Sequence, residues 1–69
     1  MNEYVVVIEG SNGSYSAYSP DLPGCVAAGD SVEEVERLMR EAIPLHIESL
    51  KAHGDEVPDP EAKIRYVTA

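Results

Sequence analysis

Three shortages bound what this chain can be. Among its 69 residues there is one cysteine, Cys25, so no internal disulfide can form. One cysteine and two histidines also fall short of the usual four-ligand set of a structural zinc. Cations are scarce as well: five Lys and Arg stand against thirteen Asp and Glu, for a formal charge of −8. Nucleic-acid affinity rests largely on cations that neutralise phosphates. Arg37, Arg40, Lys51, Lys63 and Arg65 are scattered and draw no basic stripe. Such a field repels DNA, RNA and anionic membranes and favours a basic partner. Finally, no long apolar run is present. The longest purely aliphatic stretch, Val5 to Ile8, is far too short to cross a bilayer. No cationic segment followed by an apolar one marks a secretion signal near Met1, and a cytoplasmic setting is expected.

What remains is one small domain, spanning residues 1–69. A chain of this size buries only about 60% of its unfolded surface, so its core is marginal alone. With disulfides and metals set aside, self-association is the remaining means of reinforcement.

The run Tyr4-Val5-Val6-Val7-Ile8 is β-branched and aromatic, which predicts a first strand. Asn12-Gly13 suits a tight hairpin, because both residues tolerate positive φ. Tyr15 to Ser19 then forms the returning strand. Pro20 and Pro23 lack N–H donors, so Pro20 to Gly24 is a connection, with Pro23-Gly24 fitted to a type II turn. A short third strand over Cys25 to Ala28 ends at Gly29. Ser31-Val32-Glu33-Glu34 has the form of a capping box, in which the Ser31 hydroxyl accepts the Glu34 N–H and the Glu34 carboxylate reaches back. Apolar residues then recur at helical spacing, from Val35 and Leu38 to Leu50, and predict a helix over about Val32 to Ala52. Pro44 lies inside it. That proline removes one backbone bond and predicts a kink, or else two short helices broken near Ile43. Ala62 to Thr68 alternates and reads as a last strand. The expected fold class is α+β, in the order β-β-β-α-β, a small sheet with one helix packed on one face.

One helix covers one face of a sheet. The first strand is apolar on both: Tyr4, Val6 and Ile8 point one way, Val5 and Val7 the other. Val5 and Val7 are therefore expected to meet a second copy, giving a homo-oligomer, most simply a symmetric dimer.

Taken together, Tyr18-Ser19-Pro20-Asp21-Leu22-Pro23-Gly24-Cys25, then Gly29-Asp30-Ser31 with Glu34, resemble the signature of the HicB-like antitoxins. Ala42-Ile43, Leu45-His46 and Gly54-Asp55-Glu56-Val57-Pro58-Asp59-Pro60 are similar to the same pattern. The resemblance implies a partial ribonuclease-H-like fold. It also implies a partner, a small basic HicA-type toxin that cleaves RNA and is held inactive in a type II toxin–antitoxin pair. Many such proteins carry a further DNA-binding domain, of helix-turn-helix or ribbon-helix-helix type. This chain stops at Ala69 just after the expected last strand, so no such domain and no direct nucleic-acid binding are expected of it.

Catalysis is not expected. Two-metal phosphoryl chemistry needs clustered carboxylates, typically with one on the first strand, and Tyr4 to Ile8 has none. Cys25 with His46 or His53 as base is set against a small buried residue at a strand start, the commoner role of a lone cysteine. His46 and His53 lie roughly 10 Å apart along a helix, awkward for one ion. No metal or other cofactor is expected. The client surface is expected at Pro20, Asp21, Leu22, Pro23 and Gly24, a preorganised loop, with Glu33 and Glu34 at the helix start. An orphan oligomeric scaffold or ligand-binding protein without a toxin partner is the alternative reading.

Overall fold

The computed structural model describes residues 2–69. Its strands are β1 (Val7–Ser11), β2 (Ser14–Tyr18) and β3 (Val26–Gly29), followed by the helix α1 (Val32–Ala52). The three strands form one antiparallel sheet in the order β1-β2-β3, with α1 packed against it. The expected α+β class and the β-β-β-α order are what forms.

The hairpin turn sets the register. Asn12 (φ 52°) and Gly13 (φ 77°) both take positive φ, as a two-residue primed turn requires. Ser11 therefore faces Ser14, and the ladder runs back to Val7 opposite Tyr18. The Ser19 N–H still reaches across to the Cys25 carbonyl (3.3 Å) on the β3 side, but β2 goes no further, because Pro20 has no N–H to give to β1. The strand expected at Tyr4 to Ile8 is thus displaced to Val7–Ser11. Tyr4 to Val6 extend past the end of β2 and have no ladder partner.

The fully buried core is small: Ala17, Leu22, Cys25, Val35 and Met39. Tyr4, Val6, Ile8, Tyr15 and Ala27 pack on it from the sheet, and Ala42, Ile43, Ile47 and Leu50 from the helix. Tyr4, Val6 and Ile8 do share the helix-facing side, as their alternation predicted.

α1 begins with the expected cap. Ser31 is extended (φ −147°, ψ 161°), and its hydroxyl accepts the Glu34 N–H at 3.1 Å. The Glu34 carboxylate reaches past the cap and accepts the Asp30 N–H at 2.6 Å. In doing so it lies against Gly29, where a larger side chain would make the flexible Glu34 carboxylate shift. The helix runs unbroken through Pro44 for 21 residues; the two-helix alternative does not form. It stops in a paired C-terminal turn: Gly54, at φ 74°, donates to Lys51 (3.1 Å) and Asp55 donates to Leu50 (2.9 Å).

The last strand expected at Ala62 to Thr68 is not formed, and no residue beyond Gly54 belongs to a strand. The segment carries no regular secondary structure and is tied to the body by side chains. Tyr4 donates its hydroxyl to the Pro58 carbonyl (2.6 Å), and the Asp21 carboxylate accepts the N–H groups of Glu61 (3.1 Å) and Ala62 (3.0 Å). Those two donors are spent on a side chain, not on a ladder. An open gap of about 510 Å³ then separates Ala62–Arg65 from Glu3–Val6.

Candidate partner-binding surface

The loop between β2 and β3 is built as two consecutive turns. Leu22 donates to the Ser19 carbonyl and Cys25 to the Leu22 carbonyl, each at 3.1 Å. Gly24, at φ 86°, takes the third position of the second turn, which with Pro23 before it is the expected type II geometry. This folding turns Leu22 inward. Its side chain is wholly buried against Val35 and Met39, so it belongs to the core and presents nothing to a partner. That corrects its expected role: the two flanking turns aim the loop's one aliphatic side chain at the helix.

Asp21 is likewise occupied, since its carboxylate holds Glu61 and Ala62. Pro20, Pro23 and Gly24 remain exposed. Behind them sits His46: a Cβ added at Gly24 would come 3.8 Å from the His46 Cε1. At the helix start Glu33 is exposed, while Glu34 is half-buried and engaged by its cap. The loop precedes β3 and the helix start follows it. Four strand residues, about 13 Å, lie between the two groups of expected contact residues.

The face of the sheet opposite the helix is apolar in one row. Val7 stands opposite Tyr18 and Tyr18 opposite Val26. Val7 is half-buried, Tyr18 is 42% exposed and Val26 is 65% exposed. Val5, also half-buried, precedes Val7 on the same side of the chain. Tyr18 and Val26 were missed in the sequence reading. Counting the register outward from Asn12-Gly13 would have found Tyr18, whereas Val26 follows only from the pairing of β2 with β3.

Electrostatics add little rigidity. Arg37 pairs with Glu41 (3.3 Å) and Arg40 with Glu36 (2.9 Å), both exposed pairs one helical turn apart. Such pairs contribute only about 0.3–0.5 kcal/mol each. They do, however, occupy both helical arginines. Lys51, Lys63 and Arg65 have no carboxylate partner among the described residues.

His53 Nδ1 lies 2.7 Å from its own helix's Ser49 carbonyl. Among the described residues no three His, Cys, Asp or Glu side chains converge as a metal site. Burial pushes the Cys25 thiol above its ordinary pKa, the opposite of what a nucleophile needs. An open, mostly apolar cleft of about 570 Å³ lies between Tyr4, Ile43, Ile47 and Val57, with Lys51 and Asp59 at its rim. No helix among the described residues is long and apolar enough to cross a membrane.

A family model described as "HicB_like antitoxin of bacterial toxin-antitoxin system" matches residues 4–69. A UPF0150 protein of Thermoplasma acidophilum is 35% identical over 63 residues, covering 91% of each chain. Another, from Synechocystis, is 45% identical over 56 residues, which cover 80% of this chain and 71% of the relative. A 14.9 kDa protein from the rep-hol intergenic region of Haemophilus phage HP1 is 36% identical over 64 residues. There the match takes in 93% of this chain but only 48% of the phage protein, so this chain spans about half of that relative. No solved structure matches significantly.

Proposed function

Because the chain belongs to the HicB-like antitoxin family, we propose that it binds and neutralises a small basic HicA-type toxin that cleaves RNA, as the antitoxin of a type II pair. The observation that carries this reading is the family match over residues 4–69, nearly the whole chain. The charge of −8 supports it, since an acidic surface attracts a basic client and speeds their encounter. Inhibition works by covering the toxin, without chemistry on the antitoxin's side and without contact between this chain and nucleic acid. The pair acts in the cytoplasm.

The client meets the exposed part of the expected surface, Pro20, Pro23 and Gly24, with Glu33 adding charge at the far end of β3. Asp21 and Glu34 contribute through the loop and helix start they hold in place. Self-association uses the opposite sheet face, where Val5 and Val7 are joined by Tyr18 and Val26. Two copies meeting there cover the apolar row that α1 leaves open, and the simplest closed arrangement is a two-fold dimer.

The test is capture of a tagged chain's partners in the native organism, followed by inhibition with purified components. A small basic protein retained in stoichiometric amount, released as salt rises, and losing ribonuclease activity on addition of this chain is the expected result. A captured basic protein whose ribonuclease activity is unchanged by a saturating excess of the chain refutes neutralisation. Recovery of the chain alone, with its toxin shown to be expressed, points to the orphan scaffold instead.

A further inference from the structure

β3 is the outer strand of the sheet on the side away from β1, and among the described residues no strand pairs with its far edge. The direction of each backbone group there follows from the ladder. In an antiparallel pair, facing residues alternate between those that exchange both bonds and those whose N–H and C=O point outward. The Ser19 N–H bonds the Cys25 carbonyl, one step beyond the Tyr18–Val26 pair, and this fixes the phase. Ala27 and Gly29 therefore bond inward to Ala17 and Tyr15, while Val26 and Ala28 turn both of their backbone groups outward. No other backbone group among the described residues meets them, and both residues are exposed. Asp30, next in the outward series, gives its N–H to the Glu34 carboxylate, which closes the edge at that end.

Sheet edges are normally blunted by charge, proline or a covering segment. Val26-Ala27-Ala28-Gly29 has neither charge nor proline. The helix borders this edge without closing it. Glu34 lies against Gly29, and Leu38 and Leu45 follow Glu34 on the same side of α1 at helical spacing. The other side of α1, with Glu36, Arg40 and Ile43, faces Tyr4, Val6 and Ile8 near β1. Leu45 is 65% exposed, a large apolar side chain that its own chain leaves mostly uncovered. Charge is uneven along the edge. Asp30 and Glu33, both exposed, stand at the Gly29 end, and Arg37 on the helix is already paired with Glu41.

We propose that the basic client is held through an extended segment of its own, added to the sheet as a further strand beside β3. The inference rests on the function proposed above and names how that client is gripped. Backbone bonds to Val26 and Ala28 supply attraction that does not depend on the client's sequence. Alternate side chains of the added strand lie on the helix side, where Leu38 and Leu45 select apolar residues. The end beside Asp30 and Glu33 selects Lys or Arg. The β2–β3 loop and the helix start thereby become the two ends of one site. A second copy suits this edge less well. Two β3 strands paired about a two-fold axis set each copy's Asp30 and Glu33 against the other's Pro20–Gly24 loop, which offers no Lys or Arg, and both bodies carry −8. The added strand lies in the plane of the sheet and leaves the Val7–Tyr18–Val26 row free for self-association.

Amide hydrogen exchange by NMR tests the mode, on the chain alone and in complex with the purified basic ribonuclease it captures. In the chain alone Val26 and Ala28 exchange freely, whereas Ala27 and Gly29 are protected by β2. In the complex the Val26 and Ala28 amides are expected to slow at least about tenfold. Leu45→Ala, at an exposed position that folding does not need, is expected to weaken the complex about tenfold. A complex that forms and blocks the ribonuclease while Val26 and Ala28 still exchange freely overturns strand addition and leaves neutralisation standing. Unchanged affinity in Leu45→Ala refutes the placement of the strand beside the helix. Protection of the two amides that grows with concentration in the chain alone assigns the edge to a second copy and overturns the proposal. If the chain inhibits no basic ribonuclease, neutralisation and strand addition fall together.

Discussion

Leu22 and Leu45 carry the same side chain in opposite surroundings, and replacing each with alanine isolates what burial contributes. Leu22 is wholly buried, held between the two turns of the β2–β3 loop and packed in the core with Val35 and Met39. Alanine there removes the γ carbon and both δ methyls. At about 0.8 kcal/mol per carbon, the transfer loss is roughly 2.4 kcal/mol. Incomplete collapse of the hole adds on the order of 1 kcal/mol. Domains of this size are stable by only ~3–10 kcal/mol in total, so Leu22→Ala removes a third of it or more. Leu45 lies on the helix, 65% exposed, and Leu→Ala at such a site is nearly neutral in helix propensity. Its change stays within about 0.5 kcal/mol. Urea denaturation followed at 222 nm, at one low protein concentration, gives both numbers. With a slope of ~1 kcal/mol/M, the midpoint falls by about 3 M for Leu22→Ala and hardly moves for Leu45→Ala. A Leu22 variant that loses under about 1 kcal/mol, or no more than the Leu45 variant, refutes the assignment of Leu22 to the core. Loss of toxin binding without loss of stability would return Leu22 to the contact surface.

Other consequences can be checked one at a time. Ser31→Ala removes the acceptor for the Glu34 N–H and is expected to cost about 1 kcal/mol, with hydrogen-exchange protection lost first at Glu33 and Glu34. Pro44→Ala restores a donor for the Arg40 carbonyl and is expected to stabilise the exposed helix interior by ~1–3 kcal/mol, read as a raised Tm. Cys25, desolvated and with its pKa raised, is expected to react with iodoacetamide at pH 7–8 at least tenfold more slowly than a free thiol, and at the unfolded rate in urea (both on the order of magnitude expected for a buried thiol). The same shift sets a sign for stability. The folded thiol keeps its proton to higher pH than the unfolded one, so the unfolded state binds fewer protons on the alkaline side. Cys25's contribution is full below about pH 8.5 and is lost as pH rises through the folded pKa. Cys25→Ala is expected to flatten that alkaline decline in a Tm-against-pH series.

Much of this fold is written in short-range chemistry. Asn12-Gly13 requires positive φ, Pro23-Gly24 a type II turn and Ser31 with Glu34 a cap, and each appears where its residues stand. The helix bounds follow from periodicity and from Gly54. What propensity misplaced are the two segments whose fate depends on partners far along the chain. Tyr4 to Val6 are β-formers, but Pro20 ends the strand they would pair with. Ala62 to Thr68 alternate correctly, but Asp21, forty residues earlier, takes the first amide donors. The surface was less legible than the fold for a related reason. Leu22 between prolines has the composition of a contact loop, and only the two turns, acting in three dimensions, reveal that it points inward. Tyr18 and Val26 gain meaning only from register, since nothing in their neighbours distinguishes them from other strand residues.

The Tyr4–Pro58 hydrogen bond joins residues 54 positions apart. A ribosome adds roughly 5–20 residues per second. The hairpin, the β2–β3 turn and the helix can all form from contacts close in sequence while synthesis continues. Tyr4 must wait for Pro58, made 54 residues later, before its hydroxyl has its acceptor. Through that interval the Tyr4–Val6 stretch is apolar, extended and unclaimed. For a nascent chain this is the hazardous segment, and its safety depends on how soon Pro58 arrives.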